Sequence, residues 1–424
     1  MSENPSLHDF IRESLWIGML GFGGPAGQIA LMHRRFVETR KWVSEETYMH
    51  ALSYCMLLPG PEAQQLATYI GWRLYGVRGG LIGGLLFIVP GAALMLGLSL
   101  IYVHSTQLAL FQPVLQAIRA AVLVLVCVAV YRLAHKAIKD YAGWIISAAA
   151  FSALFFFQIP FPWVILVALL IGWFRAPSLP TPGVVASAGR LRGRAWQDGA
   201  IWLSVWLVPL MGVAMAQMAL LTQIGLAFSG LSMVTFGGAY ASTVWLNQYG
   251  VETAGWLTSQ NMIDGLGLVQ TIPGPLVLIN QFVGFMAGWR EGGIGLAFAA
   301  AFMASWCTFA PSFLWIFVGA PYAEQLRSHA KVGGALSGVS AGVVGVMANL
   351  ALWFGEQTLF TSQIKYKTFA DTTFTLPDWA TINPIMLVLV PLAIWCLQVA
   401  KLGPALTLMV TVLTSIALAV VHWR

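Results

Sequence analysis

Pro59-Gly60-Pro61 stands in the middle of an apolar segment, within Leu57-Leu58-Pro59-Gly60-Pro61-Glu62-Ala63-Gln64-Gln65. Proline lacks a backbone donor and its ring clashes with the preceding turn, so no α-helix runs unbroken through Pro61. A second copy, Thr271-Ile272-Pro273-Gly274-Pro275-Leu276, follows 214 residues later. Two breaks at matching places in two halves of an apolar chain point to a binding site near the midplane of a bilayer. Composition requires the bilayer: 58% of the 424 residues are hydrophobic and 9% charged, against about 25% charged in a soluble domain. The apolar runs, such as 81–102 and 120–131, are continuous. A β-barrel would instead show alternating segments of roughly ten residues. The expected class is an all-α polytopic membrane protein.

A repeat underlies the two breaks. At the 214-residue offset, Met19–Pro61 and Met233–Pro275 share twelve of 43 positions without a gap. The shared positions include Phe22-Gly23-Gly24 with Phe236-Gly237-Gly238, Val37-Glu38-Thr39 with Val251-Glu252-Thr253, and both Pro-Gly-Pro runs. A one-residue slip then pairs Gly71, Gly79 and Gly80 with Gly284, Gly292 and Gly293. Self-similarity of this kind marks an internal repeat. The chain divides into a first repeat at 1–174, a basic proline-rich linker with a connecting helix at 175–221, and a second repeat at 222–424. Beyond the breaks, helices are expected at about 80–104, 113–134, 142–157 and 161–174, singly at 199–221, and at 292–318, 332–354, 382–398 and 403–421.

Loop charge orients the halves. The loop from His33 to Glu46 holds Arg34, Arg35, Arg40 and Lys41, whereas Trp245 to Gln260 holds no Lys or Arg. Basic loops stay cytoplasmic, so the two repeats are expected to have inverted topology. Re-entrant segments at the Gly-Gly and Pro-Gly-Pro motifs fit the charges better than fully spanning broken helices. If only the Pro59 segment crossed fully, Lys136 and Lys139 would lie outside and the uncharged 104–112 loop inside. Such non-helical backbone needs cover from protein or a water-filled cavity. The net charge of +6 is accounted for by the same rule, with no nucleic-acid partner. Met1–Asp9 lacks a basic n-region, so no cleavable signal peptide is expected. The four single cysteines, Cys55, Cys127, Cys307 and Cys396, have neither metal nor disulfide spacing, and no cofactor is expected.

The motifs suit an anion. Gly23 and Gly24 let the backbone approach a ligand closely. The segment after each break starts a helix whose first N–H groups are unpaired and whose dipole end is positive, which attracts anions. Gln64 and Gln65 add amides after the first break, and Asn280 and Gln281 do so after the second. The expected site gathers Phe22-Gly23-Gly24-Pro25, Pro59-Gly60-Pro61, Phe236-Gly237-Gly238, Pro273-Gly274-Pro275, Gln64, Gln65 and Asn280. Arg119, near the start of an apolar helix, is a candidate counter-charge or a snorkelling side chain. Ionisable residues in apolar stretches are functional candidates. Glu62 directly follows the first break, and His50 and Asp264 occupy equivalent positions in the two repeats. These three are the candidates for proton coupling, with Glu62 first, and the first half carries most of the side-chain chemistry.

The stretches Gly21-Phe22-Gly23-Gly24-Pro25-Ala26-Gly27-Gln28-Ile29-Ala30 and Leu58-Pro59-Gly60-Pro61-Glu62-Ala63-Gln64-Gln65-Leu66-Ala67-Thr68-Tyr69-Ile70-Gly71-Trp72 closely resemble the chromate ion transporter family in its long two-domain form. Phe236-Gly237-Gly238 and Pro273-Gly274-Pro275 match its second half, with Ala239 where the family often has a third glycine. The resemblance implies a multi-pass carrier of the bacterial inner membrane that exports chromate, usually driven by the proton-motive force. Sulfate, of similar shape and charge, is the natural competitor. The partners are then chromate or sulfate and the lipid bilayer, with a homodimer left open.

Other classes lack their machinery. A membrane phosphatase would need a nucleophile or a Ser/Arg/His cluster, but Pro61 is followed by Glu-Ala-Gln-Gln. An ATP-driven pump would need a Gly-rich, Gly-Lys-Ser/Thr motif. Another oxyanion carrier and a passive anion channel remain as alternatives.

Overall fold

The computed structural model describes all residues except 1–4, 23, 106–110, 177–194, 236–238, 321–329, 368–372 and 423–424. Gly23, Phe236, Gly237, Gly238 and most of the basic linker therefore lie outside the described residues. The chain is helical almost throughout. In order it runs α1 Leu7–Leu20, α2 Gly24–His33, α3 Glu45–Cys55, α4 Glu62–Ser105, α5 Phe111–Ala137, α6 Tyr141–Phe155, α7 Phe161–Arg175 and α8 Ala195–Met215. Then follow α9 Ala219–Val234, α10 Ala239–Trp245, α11 Ser259–Thr271, α12 Ile279–Gly319, α13 Ala330–Leu359, α14 Pro384–Ile394 and α15 Pro404–His422. A π-helical turn extends α2 (Arg34–Thr39) and another extends α10 (Leu246–Thr253). One antiparallel hairpin, β1 Gln363–Lys367 with β2 Thr373–Pro377, pairs Ile364 with Leu376. Polar caps set several starts: the side chains of Ser6, Ser44, Asp140 and Asn383 accept first-turn N–H groups of α1, α3, α6 and α14.

Two sequence expectations shift. The single helix expected at 199–221 is α8 and α9, separated at 216–218 where Gln217 takes φ 55°. More consequential is α4. Its 44 residues are not one rod, because Tyr75 (φ −136°, ψ 19°) and Gly76 (φ 64°, ψ −154°) break it. A Cβ on Gly71 would lie 2.1 Å from the Gly79 carbonyl oxygen, and one on Gly83 would lie 2.6 Å from that of Ala67. Residues eight apart in a straight helix are about 12 Å apart, so the chain doubles back at Gly76. α12 does the same at Gly292 (φ −150°, ψ 19°) and Gly293 (φ 73°, ψ −158°), with Gly288 against the Leu296 carbonyl. The structural partner of Tyr75-Gly76 is thus Gly292-Gly293, whereas the sequence slip pairs the latter with Gly79-Gly80. Gly79 and Gly80 instead allow close packing.

Two compact units result. Unit 1 comprises 1–97, 170–242 and 272–336, and unit 2 comprises 98–169, 243–271 and 337–424. Each draws on both repeats. In unit 1, α12 packs on α8 and α9, with Trp206 against Ala310 and Leu314. In unit 2, α5 is the central helix, packed by α11, α14 and α15, with Ala120 against Met386 and Leu389. Among the described residues four helical runs are long and apolar enough to cross a membrane: Glu62–Ser105, Phe111–Ala137, Leu276–Gly319 and Lys331–Leu359. The chain is an all-α polytopic membrane protein. The limb 62–75 rises only ~20 Å, short of the roughly 30 Å apolar thickness. The limb 77–105 is long enough.

The hairpin contact is tested by Gly71→Val, which drives a branched side chain into the Gly79 carbonyl. Overpacking of this kind costs roughly 1–3 kcal/mol, so the melting midpoint in detergent should fall. Gly97→Ala, where nothing lies within 4 Å, should leave the midpoint unchanged or raise it.

Candidate functional site

Both Pro-Gly-Pro breaks lie in unit 1, together with the half-helices they start. Gly60 takes φ 114° and Gly274 φ 99°, conformations that favour glycine. The amide of Gly60 donates to the Thr235 carbonyl at 2.8 Å, and that of Gly274 donates to the Gly21 carbonyl at 3.1 Å. Shifted by 214, residue 60 becomes 274 and residue 21 becomes 235. The two bonds are one bond made twice, with the repeats exchanging roles.

Gln28 strengthens one of them. It is 1% exposed, and its Nε2 donates to the Gly21 carbonyl at 3.0 Å and to the Gly274 carbonyl at 2.5 Å. Gly24, at φ 72°, faces Leu276, the first residue after the opposite break. Ser312 Oγ sits 2.9 Å from where a Cβ on Gly60 would be. Pro61, Pro273 and Pro275 are buried, Pro25 and Pro59 are half-buried, and Phe22 is exposed.

A set of buried amides follows the breaks. Gln64 and Gln65 are fully buried, and Asn280 and Gln281 nearly so. Gln65 Nε2 donates to the Pro59 carbonyl (2.8 Å), Gln64 Nε2 to Thr68 Oγ1 (2.9 Å), and Asn280 Nδ2 to Thr308 Oγ1 (2.9 Å). The carboxamide oxygens of Gln28, Gln64, Gln65, Asn280 and Gln281, and Ser312 Oγ, are buried without a partner. A buried polar atom left unpaired costs roughly 1–3 kcal/mol. A carboxamide rotated by 180° presents N–H where its oxygen was. Uncharged groups with unused bonding capacity, beside helix starts, can exchange bonds with a passing polar solute.

The ionisable candidates are distributed differently. Glu62 is the first residue of α4, partly buried beside the first break. His50 is exposed on α3, 3.8 Å from Glu46. In unit 2, Arg119 and Asp264 meet. Arg119 Nε donates to Asp264 Oδ1 at 2.5 Å and Nη2 to Oδ2 at 3.0 Å. Tyr102 donates to the same carboxylate at 2.8 Å and accepts from Asn261 Nδ2 at 2.9 Å. With its carboxamide oxygen turned to the guanidinium, Gln260 accepts from Arg119 at 2.6 Å. Asp264 is 1% exposed. The basic segment from His33 to Glu46 also meets a buried acid: Arg35 lies 3.1 Å from Glu13 and over the Trp16 ring, and Arg40 Nε donates to Glu13 at 2.9 Å. Arg34 and Lys41 stay exposed.

Sequence reasoning missed Gln28, Thr68, Thr308, Ser312 and Glu13 as parts of these clusters. Gln28 and Glu13 are polar residues in apolar surroundings, which was the available signal. Arg119→Leu or Asp264→Leu alone should cost about 3–5 kcal/mol, because each strands a buried charge, whereas the double variant should recover most of the loss. Equilibrium unfolding of the three variants in detergent checks this.

A family model described as chromate transporter matches residues 9–173 and again 222–421. A probable chromate transport protein of Synechococcus elongatus is 29% identical over 362 residues, covering 84% of this chain and 86% of that protein. The chromate transport protein of Pseudomonas aeruginosa is 29% identical over 353 residues (81% and 80%), and that of Cupriavidus metallidurans is 26% identical over 369 residues (84% of each). No solved structure matches the chain.

Proposed function

The chain belongs to the chromate transporter family, and we propose that it is a secondary transporter exporting chromate across the bacterial inner membrane, driven by the proton-motive force. The observation that carries this reading is the reciprocal pair of bonds, Gly60 to Thr235 and Gly274 to Gly21, with buried amides behind each break. A half-helix rising ~20 Å from Pro61 to a turn flanked by Arg73 and Arg78 sets its N-terminus deep in the bilayer when the arginines reach the interface. Inverted repeats bind substrate at such discontinuous helices and rock around them.

The cycle runs as follows. Chromate, a tetrahedral dianion, approaches from the cytoplasm, drawn by Arg34 and Lys41. It sheds water onto N–H groups and carboxamides near Gly24, Gly60, Gly274, Gln64, Gln65 and Asn280. The repeats then reorient about the two glycine breaks and the site opens outward. Glu62, at the start of the half-helix, is the ionisable side chain placed to exchange a proton beside the anion. Asp264 and Arg119, neutralising one another, act as a tie between α5 and α11 rather than as proton carrier and counter-charge. Sulfate fits the same donors and competes.

Inverted vesicles loaded through labelled chromate test this. Accumulation should require a proton gradient and be reduced by excess sulfate; gradient-independent flux would identify a passive channel instead. Gly60→Ala meets Ser312 Oγ and Gln65 Nε2 and an unfavourable φ that costs roughly 1–2 kcal/mol or more. It should cut the initial rate about tenfold. Glu62→Gln should lose the gradient dependence.

A further inference from the structure

Unit 2 contains a polar cavity of about 350 Å³ that nothing above uses. One face of α13 lines it with Asn349, Trp353 and Glu356; the α10 extension contributes Asn247 and Glu252; and Gln158 follows α6. Glu356 is 5% exposed, and its carboxylate has no hydrogen-bond or ion-pair partner among the described residues. Asn247 Nδ2 donates to Glu252 Oε1 at 3.1 Å, while its buried Oδ1 is unpaired. The only ionisable side chains among the described lining residues are Glu252 and Glu356. None of the described lining residues is basic. Gln248 is already engaged, accepting from the Phe161 amide at 3.0 Å.

We propose that this cavity is a cation site, in which a unit positive charge, a proton or an alkali cation, loads onto Glu356. A carboxylate confined to a cavity inside an apolar helix bundle, with no donor or counter-charge among the described residues, is unfavourable, and groups in that state pair or neutralise. The other lining groups are oxygen-rich, and include the Asn247 carboxamide and the Glu252 carboxylate. An oxyanion would be repelled here, so the cavity is no second chromate site.

Its placement agrees with a driving role. Asn247 and Glu252 belong to the 245–260 segment, which has no Lys or Arg and which loop charge assigns to the outer side. Inward cation flow against outward anion flow is favoured by a membrane negative inside. This driving role, unlike the site itself, rests on the transport reading above.

The test uses the purified full-length chain without chromate. Infrared difference spectra between acid and neutral buffer should show a carboxylic C=O band that Glu356→Gln removes, if the source is a proton. If the source is an alkali cation, calorimetric titration with NaCl against choline chloride should show saturable binding that Glu356→Gln abolishes and Glu252→Gln weakens. Wild-type melting curves, which need no variant to fold, should shift with pH in the first case and with Na⁺ in the second. The site is overturned if wild type shows neither a titrating band nor saturable Na⁺ binding, or if either signal persists in Glu356→Gln. In vesicles, gradient-driven chromate accumulation should fall at least tenfold in Glu356→Gln; full retention would overturn the driving role. Failure of chromate transport in wild type would leave the two binding measurements standing, so the two readings fail separately.

Discussion

Everything in unit 1 depends on how a helix broken inside an apolar segment satisfies its backbone. In hydrocarbon an unpaired N–H costs several kcal/mol and no water is at hand to take it. The chain answers by having each break donate to the other repeat: Gly60 to Thr235, and Gly274 to Gly21. Gln28 then binds both Gly21 and Gly274 carbonyls. Neither break is complete within its own half. Any reorientation of the repeats must keep these bonds or trade them for bonds to water or substrate. In the transport cycle proposed above, the pair serves as the fulcrum and the glycines as its flexible points.

The hairpins at Gly76 and Gly293 follow from the same constraint. A half-helix that begins in the interior must still end at a surface, and it must be shielded along its length. Folding back at once supplies the shield from the next limb of the same chain. Gly71 against Gly79 and Gly288 against Leu296 bring the two limbs to backbone contact. Close backbone approach at small residues is how helices associate where lipid offers no hydrophobic drive. The short limbs therefore cost little exposed backbone.

The sequence displayed the breaks because proline acts locally and without ambiguity. It displayed the repeat for the same reason, since prolines and glycines fix the alignment. The turn at Gly76 was not legible. Unit 1 is rich in helical glycines, and whether one turns the chain or merely admits a neighbour depends on contacts formed after folding. Gly79 and Gly80 looked like the partners of Gly292 and Gly293 by slip, yet they are packing positions. Gln28 stood in plain view inside the first motif, but one of its partners is a carbonyl 246 residues away. Arg119 and Asp264 were each singled out as ionisable in apolar stretches; their pairing across 145 residues could not be read from spacing. Glu356 drew no attention because it lies near a helix end, where a carboxylate ordinarily reaches water.

In the transport reading proposed above, the choice of uncharged donors for a doubly charged substrate has its own logic. A guanidinium at the centre would itself need a counter-ion in the empty state. Arg119 illustrates the outcome, since its charge is taken up by Asp264 and by the Gln260 oxygen. A buried charge is tolerated only when tightly paired, and breaking such a pair to take up a substrate strands the partner at high cost. Transport needs binding firm enough to strip water yet weak enough to let go. Helix-start N–H groups and carboxamides meet both demands. They bear no net charge when empty, and Gln64, Gln65, Asn280 and Gln281 can turn their amides toward the anion and back. On that reading the site selects by the shape and spacing of four oxygens, discriminates poorly between chromate and sulfate, and leaves directional driving force to ionisable side chains, Glu62 beside the anion and Glu356 in the acidic cavity of unit 2.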